Sequence, residues 1–306
     1  MATPALMVLA RAYPRLSLLA RPSLLPLFRV FPNVRELIPI EKGQRGFLSA
    51  VRRLKGRFEA GILFPNSFSS ALVLFLARVT YRAGYRTDGR GPLLTHAIPR
   101  PRSRIHQRDY YLHLLEALGF EIDSRELCLF LPQVARHRAQ AFLADLPPPR
   151  AGLAPGAAFG PAKKWPLSRF RALAYHLRRQ GFSLVVLGGA AEHRIGEELT
   201  RDLSRTRNLC GLTDLATAAA IIEALDLFVS NDSGLMHVAA ALKRPQVAIF
   251  GSTDPEITGP LNDRARVVRA EVPCSPCFSR TCPQNYECFT RIQVSDVFRA
   301  CLEVTS

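Results

Sequence analysis

Short apolar runs alternate with segments of helical spacing along most of this chain. In its first half the pattern predicts strands over residues 15–20, 34–40, 60–64 and 93–99, and helices over residues 49–56, 67–79 and 107–118. In its second half it predicts strands ending near residue 153 and over 183–187, and helices over 167–180, 192–203 and 215–224. Because strands and helices alternate, we predict an α/β fold with parallel sheets covered by helices.

A proline-rich run, DLPPPRAGLAPG, begins at Asp145 and interrupts this alternation. Proline and glycine stiffen a connection and break both helices and strand ladders, so we place a domain boundary in this run. The chain is also longer than a single core usually grows. We therefore predict two Rossmann-like domains that face a cleft, over residues 1–148 and 149–306.

The segment LDLFVSNDSGLMHVAAALKRPQVAIFGSTDP, residues 225–255, is the leading candidate for a functional site. It has the size of one strand–helix–strand unit, and its first strand is predicted to end after Val229 in a polar turn. Ligands bind beyond the carboxyl ends of parallel strands, where the next helix presents unpaired N–H groups and a partial positive charge. A diphosphate there could be reached by the Ser233 hydroxyl, the His237 imidazole and the backbone N–H groups near Gly234, and Asp232 lies in the same turn. The alternative is that Asp232 or Ser233 only caps the helix.

Two further loops contain candidate binding residues. The loop GAAFGPAKKW, residues 156–165, places glycines and the lysines Lys163 and Lys164 before a predicted helix, which suits a phosphate. In the turn GGAAE, residues 188–192, Glu192 follows a predicted strand and could accept hydrogen bonds from a ribose. The alternatives are a solvated surface loop for the first segment and, for Glu192, a first-turn acid favoured by the helix dipole.

The composition favours an acidic partner without identifying it. The chain has 306 residues and a formal net charge of +16. A nucleic acid, an anionic membrane surface and a phosphorylated small substrate all fit this charge, and so does an arginine-rich background. No apolar run approaches the roughly 18 residues of a membrane span, and the opening residues are typical of a helix rather than a signal peptide. We therefore expect a soluble or peripheral protein of the cytoplasm.

Four cysteines near the C-terminus, Cys274, Cys277, Cys282 and Cys288, have the spacing C-x2-C-x4-C-x5-C. This spacing is close enough for a zinc or an iron–sulfur site. Reduced thiols also pack as small hydrophobic groups, however, and the usual pair of C-x2-C units is absent from the sequence. We predict that these cysteines bind no metal.

The chain resembles the ADP-heptose:lipopolysaccharide heptosyltransferases, glycosyltransferase family 9, in GAAFGPAKKW, SLVVLGGAAE, NDSGLMHVAAAL, FGSTDP and the first three of these cysteines. The likeness covers nearly the whole chain and is specific in the C-terminal half. It implies a GT-B fold and an inverting transfer of heptose from ADP-heptose to the inner core of lipopolysaccharide, with no cofactor and no metal on the nucleotide sugar. The first domain would bind the acceptor and the second the nucleotide sugar.

The resemblance also implies roles for individual residues. Lys163 would contact the phosphates and Glu192 the ribose, while Leu212 and Thr213 would surround the adenine. The residues beside the diphosphate and the sugar would be Asp232, Ser233, Gly234 and His237. The candidate catalytic residues are Lys163 and Asp232. The candidate substrate-binding residues are Phe159, Lys163, Lys164, Glu192, Leu212, Thr213, Asp232, Ser233, Gly234 and His237.

The expected partners are ADP-heptose, the lipopolysaccharide inner-core acceptor and the cytoplasmic surface of the inner membrane, where the protein would be peripheral. Nucleic acid is not expected, because aromatic and basic residues are not interleaved as in nucleic-acid-binding modules. The alternatives are a glycosyltransferase of the same fold that uses another nucleotide sugar, a catalytically impaired nucleotide-binding remnant and, on charge alone, a nucleic-acid-binding module.

The start of the sequence departs from the family pattern. Family members normally begin with a strand and a glycine-rich loop holding a Gly-Asp pair, followed by a segment like ATPAL, and this sequence opens at that segment. An inverting transfer needs a carboxylate that takes the acceptor's proton. We therefore expect the N-terminal domain to miss its first strand, the usual catalytic aspartate to precede Met1, and the chain as written to lack transfer activity. A misplaced start codon explains this better than a natural truncation.

Overall fold

A computed structural model describes residues 1–306, which form two compact units, residues 1–126 and 127–306. The second unit begins ahead of the proline-rich run in which the sequence places the boundary. The reason is a helix over Gln133–Leu143 that packs on another helix of the second unit, Leu215–Glu223. Arg136 and Glu223 join these helices through hydrogen bonds of 2.7 and 2.8 Å.

The first unit contains four helices and five strands, in the order α1 Thr3–Ala12, β1 Leu16–Ala20, β2 Val34–Pro39, α2 Gly43–Leu54, β3 Ala60–Leu63, α3 Phe68–Leu76, β4 Tyr81–Tyr85, β5 His96–Ile98 and α4 Gln107–Glu116. Its strands form two parallel sheets, β1–β2 and β3–β4–β5. Strands β1 and β3 therefore each have a strand partner on one side only. The absence of a first strand from this unit stays a prediction.

Two apolar clusters connect these sheets to the helices. One cluster combines α1 and α4 with Leu16 of β1 and Ile62 of β3. The other combines α2 and α3 with Leu19 of β1 and Leu63 of β3. Because both sheets contribute to both clusters, the helices form a layer on each side of the strands.

The second unit contains eight helices and six strands, in the order α5 Gln133–Leu143, β6 Arg150–Ala154, α6 Leu167–Arg179, β7 Ser183–Val186, α7 His193–Thr200, β8 Thr206–Asn208, α8 Leu215–Glu223, β9 Leu227–Asn231, α9 Gly234–Ala241, β10 Gln246–Phe250, α10 Pro255–Thr258, β11 Ala265–Arg269, α11 Glu287–Thr290 and α12 Val294–Thr305. The strands form one parallel sheet in the order β8–β7–β6–β9–β10–β11. The chain first moves outward from β6 to β8 and then returns to β9 on the other side of β6. The junction of β6 and β9 is the topological switch point of a doubly wound sheet, where ligands bind beyond the strand ends.

The predicted α/β class is confirmed, and so are most of the predicted elements. The elements missing from the prediction are β4, β8, β11, α5, the two four-residue helices α10 and α11, and α12. Strand β9 also differs, because it continues two residues past Val229 through Ser230 and Asn231, both of which are buried. None of the helices combines the length and the apolar character that a membrane span requires.

Candidate active site

The loop that follows β6, residues 155–165 (the β6 loop), is fastened at both ends by Asn231. The side-chain Nδ2 of Asn231 donates to the Pro155 carbonyl at 2.7 Å, and its Oδ1 accepts from the Trp165 backbone N–H at 3.0 Å. Trp165 is itself buried, and its indole N–H donates to the Ile292 carbonyl at 3.1 Å. The position of the β6 loop is therefore fixed against the end of β9.

Within the β6 loop, Lys163 reaches the turn that follows β9. Its Nζ lies 2.5 Å from Oδ2 of Asp232, and the two side chains are only 13% and 5% exposed. The same oxygen accepts a hydrogen bond from Thr253 Oγ1 at 2.7 Å and a longer one from Thr258 Oγ1 at 3.5 Å. The carboxylate of Asp232 is thus held by protein donors and in turn fixes the ammonium of Lys163.

The start of α9 shows that the capping alternative is wrong. Ser233 occupies the N-cap position but makes no capping hydrogen bond through its side chain, and the Asp232 carboxylate binds Lys163 instead. The Ser233 hydroxyl is buried and has no hydrogen-bond partner within the chain. Gly234 begins the helix, and a Cβ placed there would meet no atom within 4 Å. His237 lies on the first turn of α9. The start of α9 therefore combines the Ser233 hydroxyl, the open backbone at Gly234 and the His237 side chain.

The outer side of the β6 loop is held by a cation that the sequence did not single out. Arg280 donates from Nε to the Phe159 carbonyl at 2.9 Å, and its own carbonyl accepts from the Ala162 N–H at 3.1 Å. The Phe159 ring has two cations near it, Lys163 Nζ at 4.9 Å and Arg280 Cζ at 5.7 Å from the centroid. The neighbouring Lys164 is partly exposed at the end of the same loop. Phe159 therefore has two cationic neighbours, one inside the β6 loop and one outside it.

Glu192 lies at the carboxyl end of β7 and contacts the beginning of the β6 loop. Its Oε2 accepts from the Gly189 N–H at 2.8 Å, as expected of an acid in the first turn of a helix. The first-turn alternative therefore accounts for one of its two carboxylate oxygens. A Cβ at Gly156 would lie 2.7 Å from the Glu192 Cγ, and a Cβ at Gly188 would lie 2.9 Å from its Cβ. Glycine at both positions is what allows the Glu192 side chain to reach this place.

Leu212 and Thr213 lie in a second group, at the carboxyl end of β8. Together with Arg138 and Phe142 of α5 they line a pocket of about 470 Å³ that also includes the first turn of α8. Leu212 is 57% exposed. The structure thus places the candidate residues in one cluster around Lys163 and Asp232 and in a second around Leu212. Glu192 lies beyond the end of β7, the strand between β6 and β8.

Sequence reasoning missed three residues that shape this site. Thr253 follows β10, and the rule that strand ends carry ligands could have identified it in the segment FGSTDP. The sequence pattern places Asn231 in a turn, whereas it is the last residue of β9 and its side chain binds the two ends of the β6 loop. Arg280 lies in an irregular segment among the cysteines, and no pattern in the sequence indicates its contact with Phe159.

The four spaced cysteines differ in their surroundings. Cys274 and Cys277 are exposed, whereas Cys288 is buried in the core. Burial, followed by the three neighbouring thiols, raises the pKa of Cys288 to about 11. No group of three or more His, Cys, Asp or Glu side chains is arranged to hold a metal ion. At neutral pH Cys288 is a protonated thiol in an apolar setting, and the absence of a bound metal stays a prediction.

Known proteins match this chain along most of its length. A family model described as glycosyltransferase family 9 (heptosyltransferase) matches residues 47–287. Lipopolysaccharide heptosyltransferase 2 of Salmonella typhimurium is 36% identical over 270 residues, which is 80% of this chain and 76% of that protein. The protein of the same name from Escherichia coli is 35% identical over the same shares of the two chains.

A solved structure gives the same result for the fold. The structure of E. coli ADP-heptose lps heptosyltransferase II superposes with a TM-score of 0.80 at 30% identity, and the match covers 99% of this chain and 94% of that one. The resemblance found in the sequence and the GT-B fold class are confirmed by these matches.

Proposed function

Since this chain belongs to glycosyltransferase family 9, we propose that it transfers heptose from ADP-heptose to the inner core of lipopolysaccharide. We assign the nucleotide sugar to the second unit and the acceptor to the first. The net charge of +16 suits an acidic glycolipid presented at the cytoplasmic surface of the inner membrane.

The observation that supports the nucleotide assignment is the order of the candidate residues along the sheet. From β9 through β6 and β7 to β8, the strand ends are followed by Asp232, Lys163, Glu192 and Leu212. Neighbouring strands lie about 4.8 Å apart, so these four strand ends extend over roughly 14 Å. ADP consists of diphosphate, ribose and adenine in the same order. We place the diphosphate at the switch point, the ribose beside Glu192 and the adenine beside Leu212 and Thr213.

The positive charge of Lys163 at the switch point suits a diphosphate leaving group. In an inverting transfer the acceptor oxygen attacks the anomeric carbon while ADP leaves from the opposite face, so negative charge grows on the diphosphate. The Lys163 ammonium has three N–H donors and can bind a phosphate oxygen while it still holds Asp232. The Ser233 hydroxyl and the N–H groups at the start of α9 supply further donors. Lys163 thus stabilises the leaving group, and Asp232 acts by positioning Lys163.

A calorimetric titration with ADP tests this assignment. Losing a charge-assisted hydrogen bond costs about 1.5–3 kcal/mol, so Lys163→Ala should weaken ADP binding about tenfold or more. Lys163→Gln keeps a donor for Asp232 but removes the charge, which separates the loss of the phosphate contact from the exposure of an unpaired carboxylate. Lys55→Ala, an exposed lysine of the first unit, is the control.

Two results would contradict the assignment. Unchanged ADP affinity in both Lys163 variants would remove Lys163 from the site. Equal binding of ADP, UDP and GDP by the unaltered chain would reject Leu212 and Thr213 as an adenine pocket, and tighter binding of UDP or GDP would favour another nucleotide sugar.

A further inference from the structure

Helix α3 of the first unit is apolar on both its inner and its outer side. On the inner side, Ala71, Val73 and Leu74 belong to the core that α3 shares with α2. The outward side carries Phe68, Leu72, Phe75 and Leu76, which follow the helical spacing of i, i+4, i+7 and i+8. Phe68, Phe75 and Leu76 are 43%, 45% and 42% exposed. A helix that is apolar all round is normally covered on every side, so the outward side of α3 requires an explanation.

Helix α2, which packs against α3, carries exposed positive charge. Its buried residues include Ala50 and Leu54, and the opposite side carries Arg45, Leu48 and Arg52 at spacings of three and four. Leu48 is 51% exposed. Residues 43–78, which contain both helices, include six arginines and lysines and a single acid, Glu59.

A basic side chain also contacts the apolar surface directly. The guanidinium of Arg82 lies over the ring of Phe75, 5.5 Å from its centroid. Only one of the six basic residues of this segment, Arg57, forms an ion pair, with Glu36 at 2.9 Å. The other five basic residues of the segment are exposed.

We propose that the α2–α3 face, formed by Arg45, Leu48, Arg52, Phe68, Leu72, Phe75 and Leu76, docks on an anionic lipid bilayer. Apolar side chains on one surface insert at the level of the headgroups, and nearby arginines bind the anionic lipids. Charge complementarity favours a bilayer over a second copy of this chain, because two identical basic faces repel each other. The choice of a bilayer rests on the proposed function, since a lipid-anchored acceptor is presented at such a surface.

Vesicle sedimentation with the full chain tests this docking. We expect binding to vesicles of phosphatidylethanolamine and phosphatidylglycerol, weaker binding at high salt, and little binding to phosphatidylcholine alone. Phe75→Ser with Leu76→Ser should lower the partition coefficient at least tenfold. The matched control is Val134→Ser with Leu302→Ser, which removes two comparably exposed apolar side chains from the second unit and should have no effect.

A second pair of variants tests the charge separately from the apolar contact. Arg45→Gln with Arg52→Gln should lower binding to the anionic vesicles about tenfold or more, whereas Arg179→Gln with Arg194→Gln, on exposed helix positions of the second unit, should not. ADP affinity, measured on the same variants, should be unchanged. If the unaltered chain fails to bind ADP, the result counts against the proposed function. If it binds ADP but does not bind vesicles, the result concerns only the docking face.

Three outcomes would overturn the docking proposal. The unaltered chain could fail to bind anionic vesicles, or the α2–α3 variants could bind them as well as the unaltered chain does. Analytical ultracentrifugation could also show a dimer that the Phe75 and Leu76 substitutions dissociate, with no vesicle binding. In that case the face would be an interface between copies of the chain.

Discussion

Replacing Asn231 by alanine should both destabilise the second unit and weaken nucleotide binding. The substitution removes the hydrogen bonds of 2.7 Å to Pro155 and 3.0 Å to Trp165, and it leaves a carbonyl and an N–H group without that partner in a buried region. Each unpaired buried group costs about 1–3 kcal/mol, so the two groups together lower the free energy of unfolding by about 2–6 kcal/mol. For a unit of this size, that corresponds to a fall in melting temperature of roughly 4–24 °C.

Scanning calorimetry measures the stability change, and titration with ADP measures the change at the site. Asn262→Ala is a closely matched control, because Asn262 also donates to a carbonyl, Arg244 at 2.7 Å, and accepts from a backbone N–H, Arg264 at 3.0 Å. Asn262 is only partly buried, so water can replace its partners and the cost should be about 1 kcal/mol or less. ADP affinity should fall several-fold in the Asn231 variant and stay unchanged in the Asn262 variant.

Two results would contradict this reasoning. If both substitutions lower the melting temperature equally, the bonds of Asn231 have no special weight in the fold. If Asn231→Ala lowers stability but leaves ADP affinity unchanged, the β6 loop keeps its position without this side chain. Either result would refute the inference that Asn231 couples the end of β9 to the β6 loop.

Two further predictions concern the segment that contains the cysteines. Arg280→Ala should weaken ADP binding several-fold at nearly unchanged melting temperature, since it loosens Phe159 at the surface; an effect no larger than that of Arg299→Ala, another exposed arginine, would contradict it. At pH 8, iodoacetamide should alkylate Cys274 and Cys277 while sparing Cys210 and Cys288, because burial raises the pKa of these thiols to about 12 and about 11. Because the fold favours the protonated thiols, their contribution to stability is present below an unfolded pKa of about 8.5 and is lost as the pH rises towards 11–12. A urea midpoint that falls equally between pH 8 and pH 11 in a Cys210→Ala, Cys288→Ala variant would show that the thiols make no such contribution.

The positions of the main site residues were predictable because they depend on local rules. A buried parallel strand followed by small and polar residues predicts a ligand at its carboxyl end, whatever surrounds it. Lys163, Glu192 and Asp232 each follow such a strand, and the structure places them beyond β6, β7 and β9. Leu212 and Thr213 came only from the family resemblance, and they lie beyond β8 as the same rule requires.

The missed features depend on contacts between distant parts of the chain. Asn231 has the character of a turn residue, but Pro155 and Trp165 satisfy its amide and allow it to end a buried strand. Strands β8 and β11 lie at the two edges of the sheet, where short segments with polar residues give little apolar signal. Helix α5 precedes the proline-rich run, and only its packing on α8 assigns it to the second unit.

The contacts of Lys163 and Asp232 suggest how the switch point stays ready for a diphosphate. An ammonium group that is removed from water without a partner costs several kcal/mol, so Lys163 needs a counter-charge while the site contains no ligand. Asp232 supplies that charge at 2.5 Å, and Thr253 keeps the carboxylate oriented at 2.7 Å. Because folding has already ordered the lysine side chain, an arriving diphosphate does not lose binding energy to that step. The same carboxylate would repel a diphosphate that approached it directly, so Lys163 has to lie between the two, and its place in the β6 loop, held by Asn231, puts it there.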